Sequence, residues 1–366
     1  PFMLNADGTY QLTMVDRRTV FRVAKKDSDT GALLGNATLV IYDSKLVGGV
    51  LVADTDRIVA TVVTETGKTT PVYGLLQGHT YFLYEAVAPD TYLRNIDTYT
   101  PFTISADGST EVYSVDKQAR VDFRKVDGLN NRIAGATMAL IKGDGTAFDP
   151  ATDVVATWIS SDTADHTVVG LLIGQTYTLL ETKAPDGYVL AAKGESFQIN
   201  DYGYVIRVGD PVTTSSTVSI VSLGNTPTQV TFSKRETGAG TAELIGATLT
   251  ISHTEGGTTV VDESWVSGDS AHRDSAGNPV PHVVTGKLKA DGVTEYTFTE
   301  VGAPAGYTIA GNLVFRIETD GTVKVKQPDG SFVSAGDNTV IMTDAPTKFK
   351  IAKVDATSKA YLSGAV

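Results

Sequence analysis

The stretch Tyr177-Thr178-Leu179-Leu180-Glu181-Thr182-Lys183-Ala184-Pro185-Asp186-Gly187-Tyr188 reads as a strand running into a turn. Side chains alternate across a strand, so Tyr177, Leu179 and Glu181 share one face. Tyr and Leu mark it as the core face, which carries Glu181 inward with them. A buried carboxylate is costly unless it is paired or protonated. The pattern recurs twice. Tyr81, Leu83 and Glu85 precede Ala88-Pro89-Asp90-Thr91-Tyr92, and Tyr296, Phe298 and Glu300 precede Ala303-Pro304-Ala305-Gly306-Tyr307. Three inward glutamates at the same place in a repeat require a common reason.

The repeat extends in both directions from these strands. Pro1-Phe2-Met3-Leu4-Asn5-Ala6-Asp7-Gly8 parallels Pro101-Phe102-Thr103-Ile104-Ser105-Ala106-Asp107-Gly108, and each leads through a β-rich stretch to Asp16 or Asp116. Nine residues after each comes Lys25 or Lys125, and the same step links Asn225 to Lys234 and Asp344 to Lys353. A small-residue turn follows each lysine: Gly135-Ala136-Thr137, Gly246-Ala247-Thr248, Gly364-Ala365 and, in the first copy, Asn36-Ala37-Thr38. Asn tolerates positive φ nearly as Gly does, so the turn is expected to survive there. The register divides the chain into the C-terminal strands of a preceding repeat (1–16), three full repeats (17–116, 117–225 and 226–344) and the first strands of a following one (345–366). Val, Thr, Ile and Tyr alternate, Asp-Gly pairs punctuate, and no segment has a helical period. Each repeat is therefore expected to be an all-β sandwich of about seven strands, in an elongated tandem array.

Net charge is −12, which argues against nucleic acid and anionic membrane surfaces as partners. There is no cysteine, so disulfides and thiolate metal sites are excluded. No apolar run is long enough to span a membrane, and Pro1 does not open a signal peptide, so the chain reads as cut from something longer.

The strands at the two ends of each repeat supply partners for the glutamates. Phe21, Val23 and Lys25 alternate on one face, as do Val121, Phe123 and Lys125, Val230, Phe232 and Lys234, and Phe349, Ile351 and Lys353. At the other end, Val221, Leu223 and Asn225 share a face, as do Val340, Met342 and Asp344, and Leu12, Met14 and Asp16. Val112, Ser114 and Asp116 fit less well. Each full repeat thus aims a lysine, a glutamate and an Asp or Asn into one interior: Lys25/Glu85/Asp116, Lys125/Glu181/Asn225 and Lys234/Glu300/Asp344. A buried salt-bridge network accounts for two of these but poorly for Lys-Glu-Asn, and buried ion pairs give little net stability. The other reading is chemical. A lysine buried among apolar groups loses its proton more easily and becomes a nucleophile, and a buried glutamic acid can polarise a side-chain carbonyl and shuttle protons. Attack on the Asp or Asn expels water or ammonia and leaves an isopeptide bond, formed once, without turnover.

Glu181-Thr182-Lys183-Ala184-Pro185-Asp186-Gly187-Tyr188 resembles the E-box of Gram-positive pilins and collagen-adhesin B-type (Cna-B) domains, the SpaA-type prealbumin-like, inverse immunoglobulin-like fold. Lys125-Val126-Asp127 followed by Gly135-Ala136, and the closing Asn225-Thr226-Pro227, match as well. The resemblance covers every full repeat. It implies isopeptide donors at Lys25, Lys125 and Lys234, catalytic glutamates at Glu85, Glu181 and Glu300, and acceptors at Asp116, Asn225 and Asp344. It also implies a stalk segment of a surface adhesin or pilin-like protein, extracellular and anchored to the cell wall of a Gram-positive bacterium. Its partners would be further repeats of the same polypeptide and, through another region, a host surface protein or glycan. Repeat 1 departs from the pattern with Thr91 in place of Gly and with Asp116-Lys117-Gln118 lacking the proline. Repeat 3 carries a long insertion near Arg273–Asp291, with Pro279 and Pro281.

No cofactor or metal is expected. The five histidines, His79, His166, His253, His272 and His282, are read into loops or strand edges and show no ligand spacing. Asp54-Thr55-Asp56 and the Asp-Gly pairs read better as hairpin turns than as calcium loops. Trp158 and Trp265 occupy matched places in two repeats, which favours core packing over a glycan platform. No Ser/His/Asp order repeats and no phosphate loop follows a strand, so no turnover enzyme is expected. The alternatives are a ligand-binding module centred on repeat 3 and the spacer region of a secreted enzyme.

Overall fold

The computed structural model describes residues 6–9, 18–107, 109–146, 149–208 and 219–364, and among these it forms 27 strands and no helix. The expected strands of the preceding repeat, including Leu12, Met14 and Asp16, lie outside the described residues. The strands form three successive two-sheet sandwiches. In the first, Val20–Asp27 pairs with Leu33–Leu34, with Thr70–Tyr73 and, in parallel, with Ser109–Asp116. The facing sheet orders Val50–Val63, Thr38–Val47, Thr80–Val87 and Thr100–Thr103. That makes eight strands, against the seven expected.

The other two repeats reproduce this plan. Arg120–Val126 lies between His166–Val169 and the parallel strand Ile220–Gly224, and Gln229–Glu236 lies between His282–Thr285 and the parallel strand Thr339–Asp344. Their facing sheets contain the glutamate strands Tyr177–Lys183 and Tyr296–Gly302. Alternation fills each interior from both sheets: Phe21, Leu39 and Leu83 in repeat 1, Phe123, Leu179 and Phe197 in repeat 2, and Phe232, Phe298 and Phe315 in repeat 3. Trp265 is buried against Phe298, and the half-buried Trp158 packs on Phe123, so both belong to cores.

The turn after each lysine takes positive φ in every repeat, at Asn36 (65°), Gly135 (90°) and Gly246 (91°). It is closed by a buried hydroxyl at Thr64, Ser160 or Ser267, which accepts from the backbone N–H of Ala37, Ala136 or Ala247.

Four expectations change. Phe349, Ile351 and Lys353 form no strand and are exposed. In each full repeat the corresponding strand pairs in parallel with one that begins about ninety to a hundred and ten residues later, and the described residues 345–364 form no strand. The insertion of repeat 3 is shorter than expected: His282–Thr285 pairs with Gln229–Phe232 as His166–Val169 pairs with Arg120–Phe123, so the framework resumes at His282. Asp54-Thr55-Asp56 is not a turn. It lies in the bulged strand Val50–Val63, opposite Thr38–Val47, and the turn between those strands is Gly48-Gly49. His253 sits inside the central strand Thr248–Glu255 rather than in a loop or at an edge, whereas His166 and His282 open edge strands as expected.

Candidate functional site

Two strands running side by side and one crossing beneath them build each site. The parallel pairing sets Lys25 opposite Ser114, Lys125 opposite Leu223 and Lys234 opposite Met342. Asp116, Asn225 and Asp344 follow two residues later and therefore return to the same inward face. The glutamate arrives from the opposing sheet. Glu85 pairs with Leu39, Glu181 with Met138 and Glu300 with Leu249, and in all three repeats the register shifts by one residue immediately beyond the glutamate. A bulge at a fixed place re-aims the chain locally, and here it ends the inward alternation at the carboxylate.

All nine residues named from the sequence are buried, and the fold brings them together in three clusters. In repeat 1 the Lys25 amine lies 2.7 Å from Glu85 Oε1 and contacts Asp116 Oδ1. In repeat 2 Lys125 Nζ is 2.5 Å from Asn225 Oδ1 and 3.7 Å from Glu181 Oε1, while Asn225 Nδ2 donates to Glu181 Oε1 at 2.9 Å. In repeat 3 Lys234 Nζ is 3.1 Å from Glu300 Oε1 and contacts Asp344 Oδ1. The second oxygen of each glutamate is held the same way throughout. It accepts a backbone N–H from the residue ten positions on: Asn95 at 3.0 Å, Ala191 at 2.7 Å and Ala310 at 2.7 Å. One carboxyl oxygen is thus fixed by the backbone and the other is left facing the amine and its partner.

Burial shapes the charges. Loss of hydration lowers the Lys125 ammonium to about 8, against the opposing pull of Glu181. Loss of hydration pushes the Asp116 carboxyl up to about 7; Lys25 opposes the rise and Glu85 adds to it. A neutral amine and a neutral acyl carbon are the forms that can join.

Two further polar groups line the first site: Ser114, which patterning placed on the inward face only as a misfit, and Asn95, which patterning did not find. Ser114 takes the place of Leu223 and Met342, and its hydroxyl accepts from Lys25 Nζ at 2.8 Å. Asn95 replaces Ala191 and Ala310, and its side chain donates to Asp116 Oδ1 at 3.1 Å. The signal that finds Asn95 is the constant ten-residue step from the glutamate, which crosses a loop and is invisible to strand alternation.

Beyond each acceptor the chain is held by the E-box turn. Tyr92 bridges Gln118, Tyr188 pairs with Pro227, and Tyr307 bridges Pro346. Repeat 1 keeps this contact without the proline.

The SpaA prealbumin-like fold domain model matches residues 19–118, 119–210 and 228–331. No curated protein matches the chain. Among solved structures, the Bacillus anthracis TIE protein is 17% identical, with a TM-score of 0.40 over 90% of this chain and 51% of that one. The pilus adhesin SpaC from Lactobacillus rhamnosus GG is 17% identical, with a TM-score of 0.34 over 90% and 44%. A streptococcal ancillary pilin is 13% identical, with a TM-score of 0.34 over 90% and 99%. The chain spans about half the length of the first of these and less than half of the second. Most of the chain, in three successive blocks, matches one domain model whose fold is the one described above, and the chain belongs to the SpaA family of prealbumin-like fold domains.

Proposed function

We propose that the chain is a stalk segment of a surface pilin or adhesin, anchored to a Gram-positive cell wall, whose three repeats are each closed by a self-formed isopeptide bond. The observation that carries this reading is the threefold recurrence of a buried amine in contact with an Asp or Asn side chain beside a backbone-anchored glutamate. Lys25, Lys125 and Lys234 are the donors, Glu85, Glu181 and Glu300 the catalytic groups, and Asp116, Asn225 and Asp344 the acceptors. In repeat 2 the neutral Lys125 amine adds to Cγ of Asn225, and a C–N bond forms. Glu181 gives a proton to the leaving nitrogen and recovers one from the new ammonium. The bond from Cγ to Nδ2 breaks and ammonia leaves. The hydrogen bond from Asn225 Nδ2 to Glu181 Oε1 supports that route, because it already joins the leaving group to the acid. With Asp as acceptor the leaving group is water. Each domain reacts once.

The test is intact mass. The protein is expected to be lighter than its sequence by two waters and one ammonia, and a mass equal to the unmodified sequence refutes the reading and restores the salt-bridge network. Glu181→Ala is expected to retain the ammonia of repeat 2, read by peptide mapping, and to destabilise that repeat by about 4–5 kcal/mol. That magnitude is what closing a loop of about a hundred residues contributes by analogy with disulfides.

A further inference from the structure

We propose that Asn95 is a second catalytic group in repeat 1, an amide donor that holds the carbonyl oxygen of Asp116 while Lys25 adds to its carbon. The proposal rests on the isopeptide reading above. Asn95 makes two separable contributions. Its backbone N–H fixes Glu85 Oε2, which Ala191 and Ala310 do equally well in the other repeats. Its side chain does something neither alanine can. The amide nitrogen donates to the backbone carbonyl of Val115 at 2.9 Å and to Asp116 Oδ1 at 3.1 Å. The Val115 carbonyl only accepts, so it dictates that the nitrogen, not the oxygen, of Asn95 faces Asp116.

The consequence is an assignment of the two Asp116 oxygens. Oδ1 is held by Asn95 Nδ2 and by the Lys25 amine, whereas Oδ2 is buried with no hydrogen-bond partner. Asp116 reacts as the acid, with its proton on Oδ2. When the neutral amine adds to Cγ, negative charge develops on Oδ1, where a donor is already in place. The amine nitrogen then gives up one proton, which Glu85 passes to Oδ2, and Oδ2 leaves as water with two protons. Oδ1 remains as the carbonyl oxygen of the amide. A fixed donor aimed at a developing oxyanion is the usual device of acyl transfer, and removing one typically costs 10²–10³ in rate.

Repeat 1 also has the surroundings that make such a donor useful. Ser114 gives the Lys25 amine a hydrogen-bond acceptor that Leu223 and Met342 do not offer from their side chains. A cavity of about 230 Å³ lies beside Glu85, lined by Asn95, Thr98 and Ser114. The first site is thus richer in polar side chains than the second, although its three central residues are as fully buried. The amide of Asn95 acts on the other side of the reaction, at the electrophile.

The test follows crosslinking in time on the full chain made by cell-free translation. Samples are quenched and digested, and the joined peptides of each repeat are quantified, so that repeats 2 and 3 serve as internal clocks. Asn95→Ala is expected to slow repeat 1 about a hundredfold and to leave the other two at their wild-type rates. Ala310→Asn, which places the same donor ten residues after Glu300, is expected to accelerate repeat 3. Joining of repeat 1 at the wild-type rate in Asn95→Ala overturns the assignment. So does a wild-type repeat 1 that stays open while repeats 2 and 3 close; the first result leaves the isopeptide reading intact and the second confines it to repeats 2 and 3. No crosslink in any repeat overturns that reading and this assignment together. Should Asn95→Ala leave repeat 1 unfolded, as judged by limited proteolysis, Ala310→Asn decides, and an unchanged rate in repeat 3 overturns the proposal.

Discussion

Repeats 1 and 2 place a lysine, a glutamate and an acceptor in the same frame, yet their surroundings differ at almost every other position. Repeat 2 sets Leu223 opposite Lys125 and leaves it the Leu223 backbone carbonyl, Asn225 and Glu181 as polar neighbours. Repeat 1 adds Ser114 and Asn95 and opens a cavity to the glutamate. At the turn after the glutamate, Gly187 has φ 83° and Thr91 has φ 71°, so repeat 1 holds a β-branched residue in the left-handed region. The comparison separates what the frame requires from what it tolerates. The parallel pairing, the bulge beyond the glutamate and the backbone N–H ten residues on are common to all three repeats. The lining of the site is not.

The largest expected effect is mechanical. With its bond made, repeat 2 passes a pulling force from Lys125 directly to Asn225, and the chain between them stays out of the stretched path. Lys125→Ala restores that path, and the loop of about a hundred residues should then release roughly 330–360 Å at 3.3–3.6 Å per residue. Single-molecule pulling on the three repeats should show one such step in the variant and none in the wild type. A full-length step from wild-type repeat 1 alone would show that its more polar site fails to close.

Next in size is pH. The reaction in repeat 2 requires a neutral amine. Burial brings Lys125 to about 8, so below that value the ammonium form prevails. Ammonia loss should therefore rise with pH by roughly tenfold per unit below about 8 and level off above it. A rate that is flat or falls through 8 instead would show that the charge of Lys125 does not set the rate. Asn225 does not titrate, whereas repeat 1 should show an additional inflection near 7 from Asp116.

The smallest effect concerns the turn. A non-glycine residue in the left-handed region costs of order 1–3 kcal/mol, partly offset by the greater unfolded-chain entropy of glycine. Thr91→Gly should stabilise repeat 1 by about 1 kcal/mol in calorimetry. No gain would mean that the Thr91 conformation is relieved by its neighbours.

Much of this was legible in the sequence because strands have period two. That period placed Tyr177, Leu179 and Glu181 on one face and Lys125 with Phe123 on another, and the nine-residue step from acceptor to lysine set the register of the repeats. The period does not reach across loops. Asn95 meets Asp116 only because the chain turns after Thr91 and comes back, and the bulge beyond each glutamate breaks the alternation where it would be needed to foresee this. Phe349, Ile351 and Lys353 show the converse. Their alternation is that of an opening strand, but a strand needs a neighbour to pair with, and among the described residues none pairs with them as a strand.

The contact of the E-box turn with the chain just past the acceptor has a further consequence for the joint between domains. Tyr188–Val189 pairs with Thr226–Pro227, Thr228 donates to the backbone carbonyl of Leu288, and Gly286 in turn donates its backbone N–H to Thr228. A Cβ on Gly187 would come within 2.3 Å of the Gly286 carbonyl oxygen, so the two backbones touch where only glycine fits. Few torsions are left to rotate freely between the second and third sandwiches. Such a joint is expected to resist bending and twisting as well as stretching, so that the third sandwich follows the orientation of the second along with its distance.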